Sequence, residues 1–315
     1  LYVDPRFQVG LILDDLMWHN FASGGPLNSI NMLSIVMAFR NCNPESPAML
    51  SSEAVAAAAE ALYEAEKSRR QMAPLTLTHR DMDMDDAYAI QKAWVDRKIG
   101  DGRRITGYKI GLTSRAMQMA MNIDTPDFGV LLDDMHFASG SSIPAGDFLD
   151  PRIEVELAFV LKEPLSGANV TVDQVMAATD YVVPALELIA ARSFRVDPET
   201  GYTRTVFDTI ADNAANAGYI PGDREIDPST IDLPWAGAML YLNGVIEESG
   251  LAGGVMGHPA HGICWVCKRF APHGIGLEPG QFILAGSFTR PVAVSAGDNI
   301  RADYGPLGTI EVDFI

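Results

Sequence analysis

Between Ser52 and Gly100 the chain is written in helical periods. The run "SEAVAAAAEALYEAEKSRRQM" is rich in Ala and in charged residues, has no breaker before Pro74, and predicts a helix by propensity. The run "DMDDAYAIQKAWVDRKIG" opens on acids, places Ala87, Ile90 and Trp94 on one stripe and closes at Gly100, which predicts a second. Downstream the pattern shortens to apolar runs divided by Gly, Pro, Asn and Asp: "RIEVELAFVL", "DYVVPALELIA", "GAMLYLNGVI", "GQFILAGSF", "PVAVSAGDNI" and "GTIEVDFI". Such spacing predicts strands, with one helix near "HPAHGICWVCKRFA". The expected class is therefore α+β, a mainly β body with an N-terminal helical region.

Residues 1–48 follow neither period. Their apolar patches, "LILDDLMW" and "MLSIVMAF", fall far short of the roughly 20 residues that cross a bilayer, and no basic leader with a cleavage site precedes them. We expect a leader foreign to the folded protein, with Met49 as the natural start; a genuine extension is the alternative.

The strand "RIEVELAFVL" carries an anomaly. Alternation puts Glu154 and Glu156 on one face with Arg152 and Ala158, while Ile153, Val155, Leu157 and Phe159 point the other way. Two carboxylates about 7 Å apart on one face repel unless something positive lies between them. A solvated outer face would account for the pair. A third glutamate, Glu187 in "DYVVPALELIAA", again stands in an apolar run where a lone charge is costly. Three such carboxylates form the oxygen set that a hard divalent ion such as Mg²⁺ takes.

Charge narrows the partners. With 23 basic against 41 acidic residues the net charge is -18, which repels nucleic-acid backbones and anionic membranes alike. Three cysteines, Cys42, Cys264 and Cys267, do not make a disulfide framework, so a reducing cytoplasm is expected. A 315-residue chain with 48% hydrophobic residues is ample for a sizeable core.

The blocks "GYKIGLTSRAMQ", "PDFGVLLDDM", "PRIEVELAFVL", "ATDYVVPALELIAAR", "FDTIADNAANAG" and "AGSFTRPV" resemble, in order, the hydratase branch of the fumarylacetoacetate hydrolase superfamily. The resemblance runs from about Met49 to Ile315 and stops at the leader. It implies a mixed β-sheet roll with an N-terminal helical region, divided as 49–100 helical and 101–315 a metal-binding catalytic domain. It also implies a ring-like homo-oligomer, a pentamer or decamer. Glu154, Glu156 and Glu187 would bind Mg²⁺ or Mn²⁺, and Lys109 in "GYKIG" would stand in the site. The implied activity is hydration of a seven-carbon 2-oxoalkenedioate in aromatic catabolism. Hydration of a five-carbon 2-oxo acid, decarboxylation of oxalocrotonate, hydrolysis of an acylpyruvate, and plain organic-acid binding are the alternatives.

The remaining candidates follow from the chemistry. A 2-oxo acid chelates a metal through carboxylate and keto oxygens, a proton leaves C3 and returns at C5, and water adds at C4. Lys109 would stabilise the enolate, or relay a proton if burial and the nearby metal lowered its pKa. Asp133, or its neighbour Asp134, in "LLDDM" is the candidate to activate water, with a turn pair as the alternative. Ser287 in "AGSFTRP" would hold the substrate carboxylate with the Gly286 amide, unless it serves only a turn. A second carboxylate calls for an arginine fork, Arg290 first and Arg192 second. His258, His261, Cys264 and Cys267 are spaced like zinc ligands, but one helix would stretch them over about 13 Å, too far for one ion. The hydrolases' His and Glu pair has no counterpart after Lys109, since His136 falls in an apparent turn.

Overall fold

The structure is a computed structural model that describes residues 49–120 and 123–315. The expectation for residues 1–48 falls outside the described residues. Met49–Ile315 forms one compact unit.

Both N-terminal helices form where the pattern puts them. The first, Ser52–Ser68, is capped by the Ser51 hydroxyl accepting from the Ala54 amide, and stops when Arg69 turns left-handed at φ 56°. The second, Met84–Gly100, opens on a reciprocal capping box between Asp83 and Asp86, and its stripe of Ala87, Ile90 and Trp94 is buried.

The strands build two mixed sheets. The larger runs β2 (Asp127–Leu132), β1 (Ile105–Gly111), β9 (Phe282–Leu284), β4 (Arg152–Leu161), β5 (Thr179–Ile189), β6 (Asn216–Pro221), with β10 (Val292–Ala293) also pairing β4. The smaller runs β3 (Ser142–Ile143), β12 (Thr309–Phe314), β11 (Asn299–Asp303), β7 (Gly237–Leu242), β8 (Val245–Leu251). The pairs β1 with β9 and β3 with β12 are parallel, and the others are antiparallel. The helix Ala260–Phe270 lies in the interrupting segment, as its sequence predicts.

β4 departs from simple alternation. From Val155 to Phe159 every residue is buried, Glu156 included. The strand is central: β5 flanks one edge, and along the other β9 pairs with it, after which the chain stays in register through the Ala285 amide on Leu157 O and the Phe288 amide on Val155 O. Tyr304, just beyond β11, reaches across from the smaller sheet. Its phenol donates to Ala185 O at 2.6 Å and lies 3.0 Å from Glu156 O, tying β4 to β5 beside the glutamates.

Candidate metal centre and active site

Glu154 and Glu187 face each other directly across the β4–β5 pair. With Glu156 two residues along, one carboxylate oxygen from each lies within 4.8 Å of the others. The glutamates are held differently. Glu156 Oε2 accepts the Gly286 amide at 2.9 Å. Glu187 Oε1 accepts from Asn216 Nδ2 at 2.8 Å and lies 3.3 Å from Lys109 Nζ, whereas its buried Oε2 has no hydrogen-bond partner among the described residues. Glu154 is half-buried on the cavity side.

The electrostatics show strain that an ion would relieve. Desolvation and then Glu187 push Glu154 up to about 8, and the same causes together with Glu154 push Glu156 well above the carboxylate range. An orphaned buried oxygen and converging carboxylates that resist ionisation together are the donor set of a hard divalent cation, and the residues fit one. This is the sole group of this kind among the described residues.

Lys109 is buried on β1, and the strand narrows to glycine beside it. A Cβ at Gly111 would come 2.2 Å from Asp127 Oδ1 and 3.1 Å from Lys109 Nζ, so only glycine leaves both groups room. Burial works to lower the lysine's pKa, but Glu187, Asp127, Glu154 and Glu156 outweigh it and the net shift is upward. Among the protein's own groups the carboxylates thus outweigh burial and favour the charged lysine.

Sequence reasoning missed Asp127. It is buried at the start of β2 with Oδ1 unpartnered among the described residues. Burial raises its pKa, Lys109 opposes and Glu187 adds to the rise. An Asp ahead of an apolar run reads as turn punctuation, and no other signal marks it. Asp133 takes a different place: its carboxylate accepts from the Arg104 backbone amide at 3.2 Å and pairs with the Arg104 side chain at 3.4 Å, outside the cavity lining. Asp134 pairs with Arg103.

The cavity, about 120 Å³, is lined by the glutamate cluster's Glu154 and Glu156 with Lys109, Asp127, Thr113 and Ser287, and by Arg195, Arg204, Thr209, Ala214 and Ala215. That is room for a small organic acid. One wall is a left-handed turn in which Asn213, Ala214 and Ala215 take φ 52°, 51° and 58°. Each such residue costs roughly 1–2 kcal/mol. The Asn213 side chain clamps it by accepting the Val130 amide at 2.8 Å and donating to Val130 O at 3.0 Å.

The substrate-loop candidates are corrected in part. Ser287 lines the cavity, but its hydroxyl donates to Thr289 O at 2.9 Å within its own turn, and the Gly286 amide is committed to Glu156. Gly286 needs its identity twice over: its φ is 122°, and a Cβ would meet Thr113 Oγ1 at 2.3 Å. Arg290 lies on the surface, 79% exposed in its side chain, paired with Glu248. Arg192 is buried but occupied, donating to Glu66 at 2.6 Å, Asp212 at 3.0 Å and Asn216 O at 3.2 Å, and it lines a separate cavity. Neither guanidinium lines the cavity of the glutamates, since a loop arginine's sequence neighbours do not say which way it points.

The zinc-like spacing proves structural. Cys267 is buried with its thiol pushed up to about 12 by burial, and His258 Nδ1 accepts the Ala260 amide at 3.1 Å as a local cap. His136 stacks edge-on against Tyr219 at 5.4 Å and is absent from the cavity lining. No helix among the described residues is long and apolar enough to cross a membrane.

Comparison with known proteins agrees with the geometry. Residues 104–315 match the family described as fumarylacetoacetate (FAA) hydrolase C-terminal. The chain is 54% identical over 257 residues to a 2-oxo-hept-4-ene-1,7-dioate hydratase of Escherichia coli, covering 82% of this chain and 96% of that one. It is 37% identical to a 2-keto-4-pentenoate hydratase of Paraburkholderia xenovorans, covering 82% and 93%. A 4-oxalocrotonate decarboxylase of Pseudomonas putida G7, solved with magnesium and adipate, superposes with a TM-score of 0.80 at 32% identity, covering 85% of this chain and 99% of that one.

Proposed function

Because the chain belongs to the fumarylacetoacetate hydrolase family, we propose that it is a divalent-metal-dependent hydro-lyase converting 2-oxohept-4-ene-1,7-dioate to 4-hydroxy-2-oxoheptane-1,7-dioate in aromatic catabolism. The observation that carries this reading is the convergence of three carboxylates on one point beside a buried lysine, in a chain 54% identical to a hydratase of that name.

Glu154, Glu156 and Glu187 would hold the ion, Mg²⁺ or Mn²⁺. When bound, it supplies a Lewis acid for the carboxylate and keto oxygens of a 2-oxo acid. Lys109, whose charge the neighbouring carboxylates favour and whose Nζ lies 3.3 Å from Glu187 Oε1, would offset negative charge that develops on the substrate's keto oxygen as C3 loses its proton. Asp127 is the proton carrier we assign. Burial keeps its carboxyl easy to protonate, and Oδ1 is free to take the C3 proton and return it at C5. The double bond then stands in conjugation with the ketone, and water adds at C4. The apolar and methyl-lined wall of Ile189, Ala214 and Ala215 limits bulk water around the reacting carbons.

The decarboxylase superposition favours one second reading, loss of CO₂ from 4-oxalocrotonate on the same site. Purified protein with Mg²⁺ and a panel of 2-oxoalkenoates separates the two: loss of ultraviolet absorbance with a product 18 mass units heavier supports hydration, and CO₂ release supports the alternative. We assign a cytoplasmic, homo-oligomeric setting. Trp235, Val245 and Ile246, all more than half exposed around β7 and β8, give a second copy an apolar surface to cover.

A further inference from the structure

We infer that Arg195 and Arg204 together clamp the carboxylate at the far end of the substrate, the end that an ion on the glutamates does not hold. The inference rests on the hydratase reading and names the residues that select the dioate.

Residues 195–204 fold back on themselves: the Arg204 amide donates to Arg195 O at 3.0 Å, and Val196 bridges Thr203. This hairpin brings both arginines to the wall of the cavity that holds Glu154 and Lys109. Each arrives with an unsatisfied donor. Arg195 gives its Nε to Asp150, but its buried Nη2 has no partner among the described residues. Arg204 is 9% exposed, forms no ion pair among the described residues, and its Nη1 is likewise unpartnered.

The hydrogen bonding does not balance. Asp150 serves Arg195 and also lies 3.5 Å from Arg152 Nη2, and the carboxylates that share the cavity, Asp127, Glu154 and Glu156, bond to neither Arg195 nor Arg204 among the described residues. Asp208 and Asp212 attract Arg204 without bonding to it, and burial together with Arg195 destabilises its charge. A buried donor left unmade is costly, and two cationic ones side by side doubly so. A ligand carboxylate accepting from Arg195 Nη2 and Arg204 Nη1 would satisfy both. A seven-carbon 2-oxo dioate brings that group, and a five-carbon 2-oxo acid does not.

The test is calorimetric titration of Mg²⁺-loaded protein with two saturated acids that cannot be hydrated, 2-oxoheptanedioate and 2-oxopentanoate. Arg204→Gln and Arg195→Gln should each weaken the dioate about ten- to hundredfold, the worth of a charged hydrogen bond, and leave the five-carbon acid within about threefold. Retained binding of 2-oxopentanoate reports that a variant is folded. Should the buried Arg204→Gln lose both acids, the partly exposed Arg195→Gln decides. An unchanged preference for the dioate, or parallel losses of both acids in Arg195→Gln, overturns the clamp. Failure of the unaltered protein to hydrate 2-oxohept-4-ene-1,7-dioate would overturn the hydratase reading instead, leaving the binding preference to stand on its own.

Discussion

Lys109 Nζ lies 3.3 Å from Glu187 Oε1, and both are buried. This pair does not close on itself, because Glu187 Oε2 remains without a partner among the described residues. Replacing Lys109 with Met removes the cation paired with Glu187 and leaves the carboxylates facing one another. Turnover should fall roughly 10²- to 10³-fold, as when an electrostatic stabiliser is lost. Mg²⁺ affinity, read by calorimetry, should hold or rise, since a competing positive charge is gone. A parallel loss of metal binding would mean that the lysine only supports the ligands.

Glu154→Gln removes one of the three proposed anionic ligands, and Asn216→Ala removes the amide that donates to Glu187. The second change should cost about 10- to 100-fold in metal affinity, and the first should cost more. Equal affinity in all three proteins, measured at one pH, would remove the glutamates as the metal site.

Stability should depend on pH in an uncommon direction. Glu154 titrates near 8 in the metal-free fold, and Glu156 is raised in the same sense, both above their unfolded values. The unfolded chain therefore gives up these protons first, and their contribution, full below about 4.5, fades as pH climbs through 8. Metal-free protein should melt at progressively lower temperature between pH 5 and 8. Mg²⁺ should restore it most at the alkaline end, because ligands must be deprotonated to bind. Differential scanning calorimetry at several pH values, with and without Mg²⁺, checks both signs.

Asp127→Asn keeps the shape but removes the proposed proton carrier. Turnover should drop roughly 10²- to 10⁴-fold with metal affinity little changed. Asp133→Asn, by contrast, touches an exposed pair with Arg104 and should leave turnover within about twofold. Reversed outcomes for the two variants would return the role to Asp133.

What the sequence made legible was local. Helix caps, apolar stripes and turn residues act within a few positions, so the two N-terminal helices and β4 lie where their patterns put them. The glutamates were legible because a charge inside an apolar run conflicts with its surroundings. Arg195, Arg204 and Asp127 carried no such conflict. Polar residues in "RSFRVDPETGYTR" and "TPDFG" suit loops and turns equally well, and only the fold determines which side chains meet. The unbroken burial from Val155 to Phe159 was hidden for a related reason, because β9, which flanks β4 on one edge, comes from more than a hundred residues away.

The Tyr304 phenol that joins Ala185 O and stands beside Glu156 O also sets an order of events during synthesis. A ribosome delivers β4 and β5 more than a hundred residues before Tyr304, and Gly286, whose amide steadies Glu156, follows nearly as late. An emerging chain thus carries all three glutamates while the brace between their strands is still unmade. The carboxylate face therefore takes the arrangement described above only once Tyr304 and Gly286, near the end of the chain, have been made.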